Sequence, residues 1–453
     1  MPQAQRVLLV DDSGRDSLLP LAFTRPIAHF RLGIDTLLDK WSRAFKLKGP
    51  GGESLEKPLP APSRLAGGLP QILPHVPGDA LPEWRQTPQP DDLLVLSRLL
   101  PDAALTAALQ QLQPGQVLVQ NGPQSGPQNQ QQNGPQSGPQ NQQQSGPQNG
   151  QWLGARCAVA LEPDALPRTA DFAQSIGYSG PVSMLRNLWD LVEGNPAWIA
   201  ADVHALTAGR QSQPLDPSVT VLGSHAVFLE PGAIVVASVL DAREGPIYLG
   251  AGSEIMPGGL VRGPFVLGEK AVLKMGAKIY GGTTVGPGCR AGGEISQSLL
   301  MANSNKGHDG FLGHSVLGEW CNLGADTNTS NLKNDYGHVK LYNHATGQLE
   351  STGRQFCGLF MGDHSKAGIN TMFNTGTVVG VCANIFGGGF PPKFLPSFSW
   401  GGAQALQTQR PEKALETARR VMARRQQTLS VDQENTLNRI FEKTRNERFW
   451  DMP

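Results

Sequence analysis

The sequence predicts two unlike folds in one chain, an α/β domain in front and a parallel β-helix of hexapeptide repeats behind it. Strand-like and helix-like segments alternate over residues 1–183, the pattern of a layered α/β domain. From residue 218 an aliphatic residue recurs at every sixth position. Beyond residue 402 the spacing becomes helical.

The six-residue spacing is the clearest of these signals. It runs through Val221, Val227, Ala233 and Val239. After a phase shift it continues through Leu249, Ile255, Val261, Leu267, Leu273, Ile279, Val285 and Ala291. Leu317 and Leu323 keep the interval, and Met361, Ala367, Phe373, Val379 and Ile385 resume it. One aliphatic side chain in six points into a triangular prism, and the small residue that often follows lets the chain turn a corner. Three hexads make a coil, and coils stack at the ~4.8 Å spacing of paired strands. A β-sandwich would instead alternate with period two. The polar stretch between Leu323 and Met361 is expected to project from the prism as a loop close to the site.

In the front half, strands are expected at Arg6–Val10 and Asp92–Ser97, and helices at Ile34–Phe45 and Ala103–Leu112. Residues 48–90 are rich in Pro and Gly and read as loop, with room for one short strand. Residues 121–151 repeat NGPQSGPQNQQQ and carry no apolar side chain but proline, so a disordered insertion without function is expected there. A strand at Ala155–Leu161 resumes the domain, and residues 184–217 form a helical linker around Met184–Ala208. Residues 218–402 are the β-helix. The segment 403–453 forms helices at Pro411–Gln427 and Asp432–Arg448. Arg419, Arg420, Arg424 and Arg425 read as the solvated face of helices packed on the end of the β-helix rather than as a nucleic-acid patch.

Lys+Arg and Asp+Glu balance at 38 each, so charge recruits neither nucleic acid nor an anionic membrane. Five cysteines without a CxxC pair argue against a zinc site and a disulfide framework. The apolar run near the N-terminus is too short for a signal peptide, and none approaches the ~20 residues that span a bilayer. A soluble cytoplasmic protein is the expectation.

In KGHDGFLGHSVLGEWCNLGADTNTSNLKND, and across both domains, the chain resembles the bifunctional N-acetylglucosamine-1-phosphate uridyltransferase/glucosamine-1-phosphate N-acetyltransferases, in a divergent branch of sugar nucleotidyltransferases. The resemblance implies a left-handed β-helix, a homotrimer, and acetyl-CoA or another acyl-CoA lying in a groove between subunits. Laid on without gaps, it puts His308 at the catalytic base, Phe311 at a Tyr, and Asn322 and Asn331 at two substrate-contacting Asn residues. A histidine suits removal of a proton from an attacking amine, and Asn amides can orient hydroxyls or an oxyanion. His314 is the alternative base. Lys278 falls at the family's Arg for sugar phosphate, with Lys274 nearby. Ser296 stands at its Lys, whose charge Lys306 or Lys333 would have to supply. The acyl-CoA region maps to Gly324, Ala325, Gly368, Ile369 and Asn370.

In the front domain, VLLVDDSGRDSLLPLAFTRPIAHFRLG follows the family's strand, phosphate loop and TRP segment. Two aspartates replace glycines, Ile27 replaces a Lys, and Ser97-Arg98 stand where a metal-binding Asp belongs. Arg15, Thr24 and Arg25 are then the candidate nucleotide-phosphate contacts, no metal ligand is assigned, and Mg2+ enters only if this domain is active. The expected function is acyl-CoA-dependent transfer to a sugar phosphate or nucleotide sugar, bifunctional with sugar-1-phosphate nucleotidyl transfer in UDP-N-acetylglucosamine synthesis if the front domain is active. The alternative is a non-catalytic nucleotide-sugar-binding scaffold.

Overall fold

A computed structural model describes residues 6–46, 71–77, 81–120, 151–164 and 166–451. The expected disordered tract, apart from residue 151, lies outside them. The chain forms two compact units. The first holds residues up to Asp12 and Lys40–Met184, the second Ser13–Asp39 and Leu185 onward. Residues 13–39, read from sequence as part of the front domain, belong to the second unit.

Among the described residues, the first unit is built on a mixed six-stranded sheet. Its strands are β1 (Arg6–Val10), β2 (Gln71–His75), β3 (Leu93–Leu96), β4 (Gln116–Gln120), β5 (Trp152–Arg156) and β6 (Gln174–Tyr178). Their spatial order is β2-β1-β3-β5-β4-β6, with β1 parallel to both neighbours and β5 antiparallel to both of its own. The apolar runs RVLLV and LLVL are buried through the middle of the sheet, which is why they read as strands without alternation. Helix α1 (Leu37–Lys46) starts three residues later than expected, because Arg31–Leu32 and Asp35–Thr36 first pair as a small hairpin. Helix α2 (Ala103–Gln111) is N-capped by Asp102, whose carboxylate accepts from the Leu105 amide at 2.9 Å. The strand expected at Ala155–Leu161 lies earlier, at Trp152–Arg156. The strands at 116–120 and 174–178 escaped the sequence reading.

The second unit is the parallel β-helix that the hexads predict. Its first face carries nine parallel strands, from Val227–Leu229 to Phe394–Leu395. Its second face carries ten, the last (Leu406–Thr408) antiparallel. The third carries six, from Thr220–Gly223 to Phe311–Gly313, continued by the pair Asn328–Thr329 and Met372–Phe373. The first corner joins faces one and two, the second joins two and three, and the third joins three and one. Leu249, Leu267 and Val285 stack on one inner wall, Ile255, Leu273 and Ala291 on the next, all buried in one cluster. Each fully buried aliphatic side chain contributes roughly 1.5–3 kcal/mol. In the earliest coil the ladder partners are shifted from the expected ones: Leu229, Val235 and Leu240 oppose Leu249, Ile255 and Val261, while the expected Ala233 is buried in the same core and Val227 packs against it. Val221 keeps its place opposite Leu240 but is 40% exposed on the edge strand.

Apolar side chains also cover the outside of the first face. Phe228, Tyr248 and Val266 pack against Ile34 and against Ile199 and Val203 of helix α3 (Asn195–Thr207). Asn195 is fully buried, donates to the Gly282 carbonyl at 2.9 Å and accepts from the Gly33 amide at 3.0 Å. Gly33 has φ +70°, and a Cβ there would stand 2.9 Å from the Trp198 backbone. At the first corner Arg25 pairs with Glu319 at 2.5 Å and with Asp363, and Thr24 donates to Asp363 at 2.8 Å. Burial alone would lower the Arg25 pKa, but Asp363 and Glu319 outweigh it and hold it raised.

The polar insertion between Leu323 and Met361 does not simply project. It forms a hairpin of Lys340–Asn343 with Gln348–Ser351, and its Tyr342 stacks on Phe394 at 3.6 Å. Helices α4 (Pro411–Ala423) and α5 (Val431–Lys443) close the chain. Phe398 packs edge-on against Phe441, and Arg425 donates to the Gly288 carbonyl at 2.8 Å. Thirteen residues of α4 span ~20 Å, so α4 runs back along several coils and does more than cap the end. Arg419 is held by Glu434 at 2.7 and 2.8 Å, and Arg420 pairs with Glu416 at 2.5 Å.

Candidate active site

The strand Phe311–Gly313 of the third face has a histidine at each end. His308 precedes it at the second corner, and His314 follows it at the third. His308 is exposed, while the corner beneath its backbone is tight. A Cβ on Gly293 of the coil below would stand 2.7 Å from the His308 carbonyl oxygen. Above it on the same corner come Gly324 and Ala325, then Gly368, Ile369 and Asn370. The Asn370 amide donates to the Ala325 carbonyl at 2.8 Å, and a Cβ on Gly324 would meet the Gly368 carbonyl carbon at 2.6 Å. These residues are therefore one and two coils from His308, ~5 and ~10 Å along the axis. Ile369 is 72% exposed and Met275, on the same corner, 70%. Asn322 sits on the second face two residues before Gly324, between Asn305 and Lys366 in its ladder.

Lys278 opposes Glu294, and Glu294 opposes Phe311, so these three form one outward row on the third face. Lys274 lies at the second corner beside Gly292, whose Cβ would be 3.1 Å from that of the lysine.

The third corner is more enclosed. Asn331 Nδ2 lies 2.8 Å from His314 Nδ1, and the imidazole stacks on Phe356 at 5.0 Å. A Cβ on Gly313 would meet both Asn331 Nδ2 and Phe311 Cζ at 2.5 Å, so only glycine lets the two side chains converge there. Burial lowers the His314 pKa to about 4, leaving a neutral ring. Lys333 donates to Asp335 at 2.9 Å. Nearby Lys393 donates to Thr375 Oγ1 at 3.4 Å, and its pKa is lowered by burial, then by the charges of Lys333 and Lys340. Sequence reasoning missed Lys340 and Lys393 because neither lies in the stretch that carries the resemblance.

The structure thus gathers His314, Phe311 and Asn331 at the third corner. It gathers His308, Lys274, Asn322 and the five acyl-CoA candidates around the second. In one chain the two groups stand at opposite edges of the third face.

In the first unit, β1 and β3 end side by side. Ser97 Oγ donates to Asp11 at 2.6 Å, and Arg98 makes a two-pronged pair with Asp12 at 2.7 and 2.8 Å. The candidate phosphate contacts have partners of their own. Arg25 and Thr24 engage Glu319 and Asp363 as described, and Arg15 donates to the carbonyls of Ala22 and Arg25, the latter at 3.1 Å. All three lie in residues 13–39, which belong to the second unit.

Residues 7–211 match the sugar nucleotidyl transferase family. The chain is 36% identical over 95 residues to a bifunctional sugar-1-phosphate nucleotidylyltransferase/acetyltransferase of Sulfurisphaera tokodaii, covering 21% of this chain and 23% of that protein. It is 38% identical over 87 residues to the bifunctional protein GlmU of Methanocaldococcus jannaschii, covering 19% and 21%. The putative uncharacterized acetyltransferase YaiX of Escherichia coli is 27% identical over 143 residues, 31% of this chain and 61% of the relative. The matches thus span about a fifth of the bifunctional relatives' length. Among solved structures, an Arabidopsis UDP-N-acetylglucosamine acyltransferase aligns over 52% of this chain and 98% of its own, at 15% identity and a TM-score of 0.23. The chain resembles transferases of two kinds, those that move nucleotidyl groups and those that move acyl groups.

Proposed function

We propose that the protein is an acyl-CoA-dependent acyltransferase whose acceptor is a sugar phosphate or nucleotide sugar, with the chemistry carried by the β-helix. The observation that carries this reading is the single strand with a histidine at either end, flanked on one side by a close-stacked glycine corner and on the other by an amide and lysines. An acceptor amine or hydroxyl attacks the thioester carbonyl, and His308 takes its proton. The tetrahedral oxyanion collapses as the carbon–sulfur bond breaks, and CoA leaves as the thiol after receiving that proton. Asn322 and Asn331 orient the acceptor, and Lys274, Lys278 and Lys333 hold its phosphate.

The separation of the two residue groups supports a homotrimer as the working form. If the second corner of one copy meets the third corner of the next, His308 and the acyl-CoA groove come to face Asn331 and Lys333 across the subunit boundary. The exposed apolar residues Leu260, Met275, Tyr280 and Ile369 supply contact area there. Light scattering at micromolar concentration tests this, and a monomer mass would overturn it.

A second reading has a specific observation in its favour. The Asp12–Arg98 pair occupies the strand ends where nucleotide and metal would be expected, so the first unit would bind a nucleotide sugar without turning it over. Incubation with acetyl-CoA and a panel of amino-sugar phosphates, following free thiol, separates the two. Ligand-raised melting temperatures without CoA release would favour a binding scaffold.

A further inference from the structure

Lys306 stands where an aliphatic residue belongs. It follows Ala291 in the inward ladder of the second face, above Leu273 and just below the coil of Leu323 and Ala367, and its side chain is 1% exposed. An ammonium has three donors and no acceptor. These donors are spent on backbone: Nζ donates to the Gly292 carbonyl at 3.1 Å, the Asp309 carbonyl at 3.2 Å, and the His308 carbonyl. Among the described residues no carboxylate forms an ion pair with it. Asp309 on its own corner and Asp326 in the coil above favour the charged form, and Lys274 lies beyond Gly292 in the coil below. Burial dominates, lowering the amine to about 8.

The local chain explains why these carbonyls need a donor. Between Ala291 and Ile295 the inward spacing drops from six residues to four, so this corner is cut short. Gly292 and Gly293 make it, and a Cβ on either would come within 2.8 Å of the Gly307 or His308 carbonyl oxygen. With the coils pressed together at this point, the Gly292 carbonyl is buried and the carbonyls of His308 and Asp309 turn inward to the same ammonium, partly shielded from water. An unpaired buried carbonyl is costly. Yet packing alone would be met by a leucine, as in the neighbouring coils, without the cost of desolvating an ammonium.

We infer that Lys306 is a positioning residue for His308: from inside the prism it clamps the carbonyls of residues 308 and 309 and so fixes the backbone from which the imidazole is presented. This rests on the proposed acyl transfer, and it adds to the corner a residue that never touches substrate.

The test is Lys306→Met, which keeps side-chain length and suits the apolar ladder. The variant is expected to keep its KM for acyl-CoA while kcat falls by ~10²-fold, the scale of a small misplacement of a catalytic group. Amide exchange over Gly307–Gly310 should accelerate while the other coils stay protected. Wild-type kcat together with wild-type exchange would overturn the inference. Should the variant not fold, the wild-type protein carries the test. Raising the pH through 8 removes one donor, and exchange at 307–310 should then rise faster than in a peptide of the same sequence; parallel behaviour would overturn the clamp. Exchange does not depend on turnover. If no CoA ester is a donor but the corner loosens as described, the clamp stands and the acyltransferase reading falls.

Discussion

His314 Nδ1 and Asn331 Nδ2, 2.8 Å apart, lock the imidazole at the third corner in one orientation. With the amide nitrogen donating, His314 keeps its proton on Nε2 and presents a donor; with the amide reversed, Nδ1 carries the proton and Nε2 is a base. Either way the ring is neutral at working pH and cannot rotate freely. The exposed His308 has no comparable restraint on its ring among the described contacts, and its backbone is held instead.

His308→Ala should lower acyl transfer by ~10²–10⁴-fold, the usual contribution of a general base, while acyl-CoA binding is retained. His314→Ala is the paired measurement. If it abolishes turnover and His308→Ala does not, the base is at the third corner. If both variants are fully active, the chemistry lies elsewhere.

Acid should weaken the β-helix unit before it reaches the carboxylate range. Burial lowers His29, His314 and His364 from the ordinary 6.5 to about 4 in each case. The unfolded chain therefore binds protons between pH 6.5 and 4 that the folded one refuses, and stability falls as pH drops through that window. Thermal melts at pH 7.0 and 4.5 should differ by at least ~4 °C, and His314→Gln should reduce the difference. A flat profile would contradict the assignment.

Arg25→Met should leave Asp363 buried without its cation. Breaking a buried pair in this way costs ~3–5 kcal/mol, readable by urea denaturation of the whole chain. Nucleotide affinity, if any, should be unchanged, because Arg25 serves the second unit. A large loss of nucleotide affinity without loss of stability would restore its expected role as a phosphate contact.

Sugar 1-phosphates with nucleoside triphosphates and magnesium should release little or no pyrophosphate. Arg98 neutralises Asp12, and Ser97 occupies Asp11, at the strand ends where positive charge and a metal ligand would be needed. Rapid pyrophosphate release would show that the ion pair opens for substrate.

The hexad ladder was legible because every inward position answers to the same demand, an aliphatic group of fixed size at fixed spacing. It faded where that demand changed. The short corner between Ala291 and Ile295 broke the count, and Lys306, expected as a possible source of charge for a sugar phosphate, lies instead buried inside the prism. The ion pairs of Arg25 were illegible for a different reason: its partners Glu319 and Asp363 lie 294 and 338 residues away, and no local pattern announces them. His308 and His314 were both visible as candidates, but that Asn331 and Phe356 enclose only the second depends on a corner of the prism. The lysines at 340 and 393 converge through the insertion hairpin, whose docking on Phe394 is tertiary.

Residues 13–39 also set an order of events. They leave the ribosome early, yet what Arg25 needs is made 338 residues later. At ~5–20 residues per second this delay is on the order of tens of seconds. During that time Arg25 lacks the buried carboxylate that its guanidinium will meet. The contacts of Arg25 can therefore form only after the first-corner segments around Glu319 and Asp363 have been made.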